Sequence, residues 1–184
     1  MITPLAVTKR ILKVPDYKWY KGCTPTSAAM VLRFSYEDLL EDITTKTLIE
    51  DLATAMKTNS SGGTRVYDIN LGIIEAISNY EDGANGRLYC ETDYSTTFAE
   101  LKTQINGRFP FLVTVLNCTA TSPAYPDGFG NHTMACVGYN ISGTSSYMVV
   151  HDTSVGGNVY VNYDGSVVGI VTGTYVRPGK TSQG

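Results

Sequence analysis

One cysteine stands directly before the run Thr-Pro-Thr-Ser-Ala-Ala, at position 23 of a chain of 184 residues. The chain has two histidines, His132 and His151, so a base for a thiol nucleophile must be one of these unless a carboxylate or a lysine substitutes. Asp152 follows His151 directly. A cysteine, a histidine and a carboxylate are the groups of a nucleophile, its base and the residue that orients the base. The sequence therefore contains the side chains for acyl transfer, if the fold brings them together.

The residues after Cys23 have the pattern of a helix start. Thr24 is the predicted N-cap, Pro25 suits the first helical position, and an apolar stripe follows over residues 28–32. A thiolate at a helix N-terminus is stabilised by unpaired N–H groups, which lower its pKa from about 8.5, and a nearby imidazolium lowers it further. The alternative is an inert thiol, because a lone cysteine before an apolar helix is most often a small buried hydrophobe.

The choice between the two histidines depends on strand register. The runs HTMACVGYN (132–140) and YMVVHD (147–152) alternate like strands, and NISGTSS between them is rich in turn formers. A hairpin centred near Ser142 places His132 opposite Asp152, with Cβ atoms about 4.5–5.5 Å apart. His151 then points to the opposite face of the sheet. A slip of one residue would exchange the roles of His151 and Asp152.

Apolar spacing divides the chain into two halves. Between residues 24 and 107, apolar side chains recur at helical intervals in the segments 48–56, 69–77 and 98–105. From Phe109 onward the spacing shortens to alternation, and β-branched and aromatic residues predominate. The predicted strands are FPFLVTVLN, HTMACVGYN, YMVVHD, NVYVNY, SVVGIV and TYVRP. The Asp164–Gly165 pair between the fourth and fifth runs favours a tight hairpin.

This order of elements predicts an α+β fold with N-terminal helices packed on a C-terminal antiparallel β-sheet. The length fits a single domain over residues 1–184, with 1–13 and 178–184 as flexible ends. Residues 118–131 have no periodicity and many turn formers, so we expect a surface loop beside Asn131 and His132.

Composition excludes several classes of partner. Hydrophobic residues make up 42% of the chain and charged residues 17%, which favours a packed core over disorder. The net charge of −3 gives no electrostatic footprint for nucleic acid. The longest apolar runs are far shorter than the roughly 20 residues of a membrane-spanning helix, and residues 1–10 lack the pattern of a secretory signal. We therefore expect no nucleic-acid partner and no membrane-spanning segment, while the oligomeric state stays open.

The remaining cysteines indicate no metal or organic cofactor. The four cysteines form no CxxC pair, which argues against a structural zinc site. Cys136 lies within a strand pattern and is predicted to be core, while Cys90 and Cys118 are either packed thiols or a disulfide. The glycine-rich stretch SSGGT (60–64) lacks the lysine of a phosphate-binding loop.

Three motifs carry a family resemblance. The segments GCTPTSAAMVL (22–32), NHTMACVGYN (131–140) and MVVHDT (148–153) resemble the Cys, His and Asp motifs of papain-fold cysteine peptidases similar to the bacteriocin double-glycine leader peptidases. The order of the motifs is similar too, and the likeness extends over residues 14–176. It implies a papain-like fold, a peptide or protein substrate, Cys23 as nucleophile, His132 as general base and acid, and Asp152 as the orienting carboxylate.

The sequence departs from the family at the oxyanion site. A glutamine usually stands six positions before the cysteine, and here that residue is Tyr17. A tyrosine hydroxyl can donate a hydrogen bond beside the Cys23 N–H, so an oxyanion hole remains possible. Trp19 is either a core residue or part of a substrate platform. The departure leaves two alternatives to peptide hydrolysis, which are a catalytically silent module that binds peptides or partners and an enzyme that transfers or deamidates amide groups.

Overall fold

A computed structural model describes residues 6–80 and 88–178 of the protein. The helices within this part are α1 (Cys23–Ser35), α2 (Thr45–Ala55), α3 (Val66–Tyr80) and α4 (Phe98–Asn106). The strands are β1 (Val7–Arg10), β2 (Leu88–Asp93), β3 (Phe111–Cys118), β4 (Gly130–Ser142), β5 (Ser145–His151), β6 (Val159–Asn162) and β7 (Ile170–Pro178). The α+β class and the three helices predicted after the first one are confirmed.

The strands form one antiparallel sheet in the order β2-β7-β3-β4-β5-β6. The longest strand, β4, lies near the middle of this order. It pairs with β3 over residues 130–136, with β5 over residues 135–142, and with β1 over residues 138–141. Because β4 has partners along both edges, the side chains that it presents to the helices have fixed positions.

Helix α1 is the buried centre of the helical layer. Every residue from Thr24 to Leu32 is buried, and the helix packs between α2 on one side and β3, β4 and β7 on the other. Ala28 and Ala29 are fully buried, and their small side chains allow the helix to approach the sheet closely. The position of the helix N-terminus is therefore set by packing along its whole length.

The first turn of α1 differs from the predicted one. The helix begins at Cys23 with Gly22 as N-cap, so the prediction of Thr24 as N-cap is wrong and Pro25 occupies the third helical position. The Thr24 hydroxyl instead donates to Thr133 of β4 at 3.0 Å. Only glycine fits at position 22, because a Cβ there would lie 2.6 Å from the carbonyl oxygen of Gly62.

Buried hydroxyl groups attach this first turn to the sheet. The Thr133 Oγ1 accepts the hydrogen bond from Thr24 and lies 2.9 Å from the Thr114 Oγ1 of β3. The Ser27 hydroxyl, one turn further along α1, donates to the Thr133 carbonyl at 3.1 Å. These side chains are all buried, and a buried polar group is stable only when it is hydrogen-bonded. The network therefore favours one position of α1 against β4.

Three other predictions differ from the structure. Residues 88–93 form β2 within the half that was predicted to be helical. The Asp164–Gly165 pair makes a turn, but β6 pairs only with β5 and β7 lies between β2 and β3, so the predicted hairpin is wrong. Residues 7–10, inside the predicted flexible end, form β1. Residues 1–5 and 179–184 lie outside the described part of the chain.

No helix within residues 6–80 and 88–178 combines the length and the apolar character needed to cross a bilayer.

Candidate active site

Cys23 and His132 meet where the N-terminus of α1 contacts β4. The imidazole acts on the thiol through a hydrogen-bonding interaction and through its charge, so each group shifts the pKa of the other. Burial raises the pKa of the Cys23 thiol, but the hydrogen-bonding interaction and charge of His132, together with the Thr133 N–H, lower it by more. The net effect is a thiol whose pKa lies below its ordinary value.

The pKa of His132 shifts in the opposite direction. Burial lowers the pKa of the ring, whereas the Cys23 thiolate, the hydrogen bond to the Asp152 carbonyl and the Asp152 charge raise it by more. The thiol pKa falls while the imidazole pKa rises, so both shifts move the pair toward the thiolate–imidazolium form. Such a pair is nucleophilic without a separate proton-transfer step during attack.

The register that brings Asp152 to His132 is not the predicted one. The hairpin turns at Gly143 and Thr144, and β5 pairs with β4 from Ser142↔Ser145 to Ala135↔His151. That pairing stops three residues short of His132, so the prediction that His132 directly opposes Asp152 is wrong. On the other edge of β4, His132 lies opposite Val115 of β3. Asp152 comes immediately after the end of β5 and reaches the imidazole from there.

Asp152 contacts the imidazole through its backbone. Its carbonyl oxygen lies 2.8 Å from the His132 Nε2. Since a carbonyl only accepts hydrogen bonds, Nε2 carries a proton, which leaves Nδ1 as the nitrogen available to Cys23. The carboxylate is fully buried, and its Oδ1 accepts from the N–H groups of Ser154 and Val155, both at 2.9 Å. The side chain thus shapes the turn that presents the carbonyl.

The residue after Asp152 has an unusual backbone. Thr153 has φ 70°, a left-handed conformation that is strained for a β-branched side chain. Its carbonyl accepts a hydrogen bond from the Trp19 N–H at 2.8 Å, which connects this turn to the segment before Cys23. The strained turn directs the chain out of β5 at the point where the Asp152 carbonyl meets the imidazole.

His151 has a different partner. Its Nδ1 donates to the Pro15 carbonyl at 2.8 Å, and its side chain is buried. This bond ties the segment before α1 to the end of β5. The structure therefore places His132, not His151, beside the cysteine.

Trp19 lines a surface groove formed in part by the segment that precedes Cys23 in the chain. Its side chain is 53% exposed, and the groove has a volume of about 700 Å³. Tyr20 and Lys21 continue the same wall, while α2 and residues 58–60 form the other side. The Tyr20 hydroxyl donates to Glu50 of α2 at 2.5 Å and joins the two walls. A role for Trp19 in binding substrate stays a prediction.

The glycine-rich stretch after α2 packs against this segment. A Cβ at Gly62, where φ is 87°, would lie 2.7 Å from the Trp19 ring. Gly62 therefore permits the close approach of the loop to the residues before Cys23. Tyr17 is half-buried against the core, and its N–H donates to the Met30 sulfur of α1 at 3.3 Å. Its part in an oxyanion hole stays a prediction.

Sequence reasoning missed the aromatic side chains that cover the imidazole. The Tyr125 hydroxyl lies 3.2 Å from the His132 Nε2, and the Phe129 ring stacks on the imidazole at 6.3 Å between centroids. Both belong to the predicted surface loop. The signal that was available is two aromatic residues in a loop that leads directly into the histidine.

The other cysteines do not join the site. Cys23, Cys90, Cys118 and Cys136 are free thiols, so Cys90 and Cys118 form no disulfide in the structure. Cys136 is fully buried, as predicted. Within the described ranges, no group of three or more His, Cys, Asp and Glu side chains is arranged to hold a metal ion.

Known proteins resemble this chain both in fold and in sequence. A crystal structure of a candidate C39-like peptidase from Bacillus anthracis is 18% identical to this chain, has a TM-score of 0.55, and matches over 94% of this chain and 99% of the other. That likeness shows the fold. No curated protein matches the sequence significantly. The model of the Peptidase_C39 like family matches residues 11–181. Because that match spans most of the sequence, the chain belongs to the Peptidase_C39 like family, a family of papain-like cysteine peptidases.

Proposed function

We propose that the protein is a cysteine peptidase that hydrolyses peptide bonds through an acyl-enzyme. The observation that carries the proposal is the contact between the Cys23 thiol and His132, whose far nitrogen is held by the Asp152 carbonyl. Family membership supports it, because a nucleophile, a base and an orienting group are the parts that this chemistry requires.

In the first half of the reaction, the Cys23 thiolate attacks the carbonyl carbon of the scissile bond, and the C=O electron pair moves to oxygen. The tetrahedral intermediate then collapses to a thioester. The departing amine takes the Nδ1 proton of His132. In the second half, His132 removes a proton from water, the hydroxide attacks the thioester, and Cys23 leaves as a thiolate. The released acid and the restored ion pair complete the cycle.

The oxyanion needs donors near Cys23. As the first residue of α1, Cys23 has a backbone N–H without an intrahelical acceptor, and the helix N-terminus adds partial positive charge. The Tyr17 hydroxyl is the proposed second donor, and it makes no hydrogen bond to other residues in the described part of the chain. A donor already bonded elsewhere would be less available to the intermediate.

Replacing Tyr17 by Phe tests this donor, because the change removes the hydroxyl and keeps the ring. We expect kcat to fall by about 100-fold or more with KM little changed, since the bond forms only in the transition state. Tyr94→Phe, at an exposed tyrosine between β2 and α4, is the matched control. Equal kcat values for the two variants would contradict the role of Tyr17.

His132→Ala tests the ion pair through the pH dependence of Cys23 alkylation by iodoacetamide. Without the imidazole, burial acts on the thiol with much less opposition, so its pKa rises above that of the unmodified protein. At a pH below both pKa values, the alkylation rate should fall by about tenfold for each unit of that rise. Cys23→Ser measures the background alkylation of the other thiols. Burial raises the pKa of Cys90 and Cys136 to about 12, so we expect that background to be low. An unchanged pH profile in His132→Ala would contradict the ion pair.

Asp152→Asn and Asp152→Ala separate the carboxylate charge from the turn. An asparagine oxygen can accept the same two N–H bonds, so we expect kcat/KM to fall by less than about tenfold in Asp152→Asn. Asp152→Ala loses the turn and leaves buried donors unpaired, so the fall should be about 100-fold or more. Equal losses in the two variants would show that the charge, and not the turn, positions the imidazole.

Cleavage of a peptide library, read by mass spectrometry, tests the reaction itself. The library should include peptides with a Gly-Gly pair before the scissile bond, because of the sequence likeness to double-glycine leader peptidases. We expect new N-termini in the presence of the protein and none with Cys23→Ala. Amide loss or transfer at glutamine without backbone cleavage would favour the deamidating enzyme. Peptide binding without reaction would favour the silent module.

A further inference from the structure

Tyr125 is held in place by the backbone of its own loop. The N–H groups of Ser122 and Tyr125 donate to each other's carbonyls at 3.2 and 2.9 Å, and the Phe129 N–H donates to the Ala120 carbonyl at 3.1 Å. The Tyr125 and Phe129 rings pack with their centroids 4.5 Å apart. The loop therefore presents the Tyr125 side chain in one orientation.

That orientation places the phenol between two elements of the site. The hydroxyl lies 3.2 Å from the His132 Nε2 and 2.6 Å from the Ser154 Oγ. The Tyr125 ring also packs on the imidazole, with centroids 5.2 Å apart and planes inclined by 45°. The tyrosine thus joins its loop to the turn after Asp152, directly over the nitrogen that faces away from Cys23.

The proton positions follow from the acceptors. The Nε2 proton points to the Asp152 carbonyl, which cannot donate. The Tyr125 oxygen, on the same nitrogen, is therefore a second acceptor for that N–H, and it also shares a hydrogen bond with the Ser154 Oγ in which either hydroxyl can donate. Burial raises the pKa of Tyr125, so the phenol stays neutral when the imidazole titrates.

We propose that Tyr125 is a positioning residue that holds the His132 ring in the tautomer and orientation in which Nδ1 faces Cys23. It acts through His132 and touches no reacting atom. The inference rests on the Cys23–His132 pair of the proposed function, but it holds for that pair whether or not a peptide is cleaved.

The same contacts stabilise the charged ring. Within the described residues, the charged groups that act on His132 are the Cys23 thiolate of α1 and the Asp152 carboxylate after β5, while its neighbour on β3, Val115, is apolar. The Tyr125 oxygen adds a neutral acceptor, and its ring lies within the distance at which an aromatic side chain attracts a cation. Removing the hydroxyl should therefore make the imidazolium easier to deprotonate.

Titration of His132 by NMR in Tyr125→Phe tests the proposal. The sequence has two histidines, so the ring signal that disappears in His132→Ala belongs to His132, and the signal that remains belongs to His151. We expect the pKa of His132 to fall by about half a unit to one unit in Tyr125→Phe and by more in Tyr125→Ala. The alkaline limb of kcat/KM should move to lower pH by the same amount, with KM little changed.

Tyr94→Phe, which removes an exposed hydroxyl far from the imidazole in sequence, should leave the titration unchanged. The proposal is overturned if Tyr125→Phe and Tyr94→Phe give the same His132 titration. It is also overturned if the Tyr125 variants lose activity only through KM. The NMR titration needs no substrate, so a protein without peptidase activity would refute the proposed function and still test the part played by Tyr125.

Discussion

The site depends on one junction, where the first turn of α1 meets β4. Cys23 and His132 are more than a hundred residues apart in sequence, so neither local propensity nor strand pairing alone can hold them in contact. The buried hydroxyls of Thr24 and Thr133 join the two elements beside the reactive pair. A shift of the helix would leave these groups without partners, which costs about 1–3 kcal/mol for each. The geometry of the Cys23–His132 pair is therefore a consequence of packing between layers.

The predictions that were confirmed rest on local apolar periodicity. The later helices and the strands of the second half have clear apolar periods, and a scarcity of histidines narrowed the choice of base. Strand β2 was missed because its six residues alternate weakly between exposed and half-buried positions. The hairpin predicted at Asp164–Gly165 is wrong because turn-forming residues indicate only that the chain changes direction. They do not indicate which strand the next segment pairs with.

The strand register differs from the predicted pairing by two residues. The predicted pairing joined residues whose numbers sum to 284, whereas Ala135↔His151 and Cys136↔Val150 both sum to 286. A shift of two residues preserves the face of every side chain, while a shift of one would reverse it. The bulge between Cys136 and Gly138 lies further along β4, where the pairing changes by one residue. The predicted pairing therefore assigned the correct faces next to His151, although the contact with His132 is made by the Asp152 backbone.

No sequence pattern identifies the Asp152 carbonyl as the group that contacts the imidazole. A carboxylate next to a histidine suggested a side-chain contact, but the group at 2.8 Å from Nε2 is a backbone carbonyl, which every residue possesses. What selects this one is the turn after β5, with its left-handed threonine and the Asp152 Oδ1 bridging two N–H groups. The Asp152 side chain thus shapes this turn, and its charge raises the pKa of the imidazole. More than one kind of side-chain acceptor can close such a turn. The backbone geometry of the turn therefore determines where the Asp152 carbonyl lies more than the carboxyl group does.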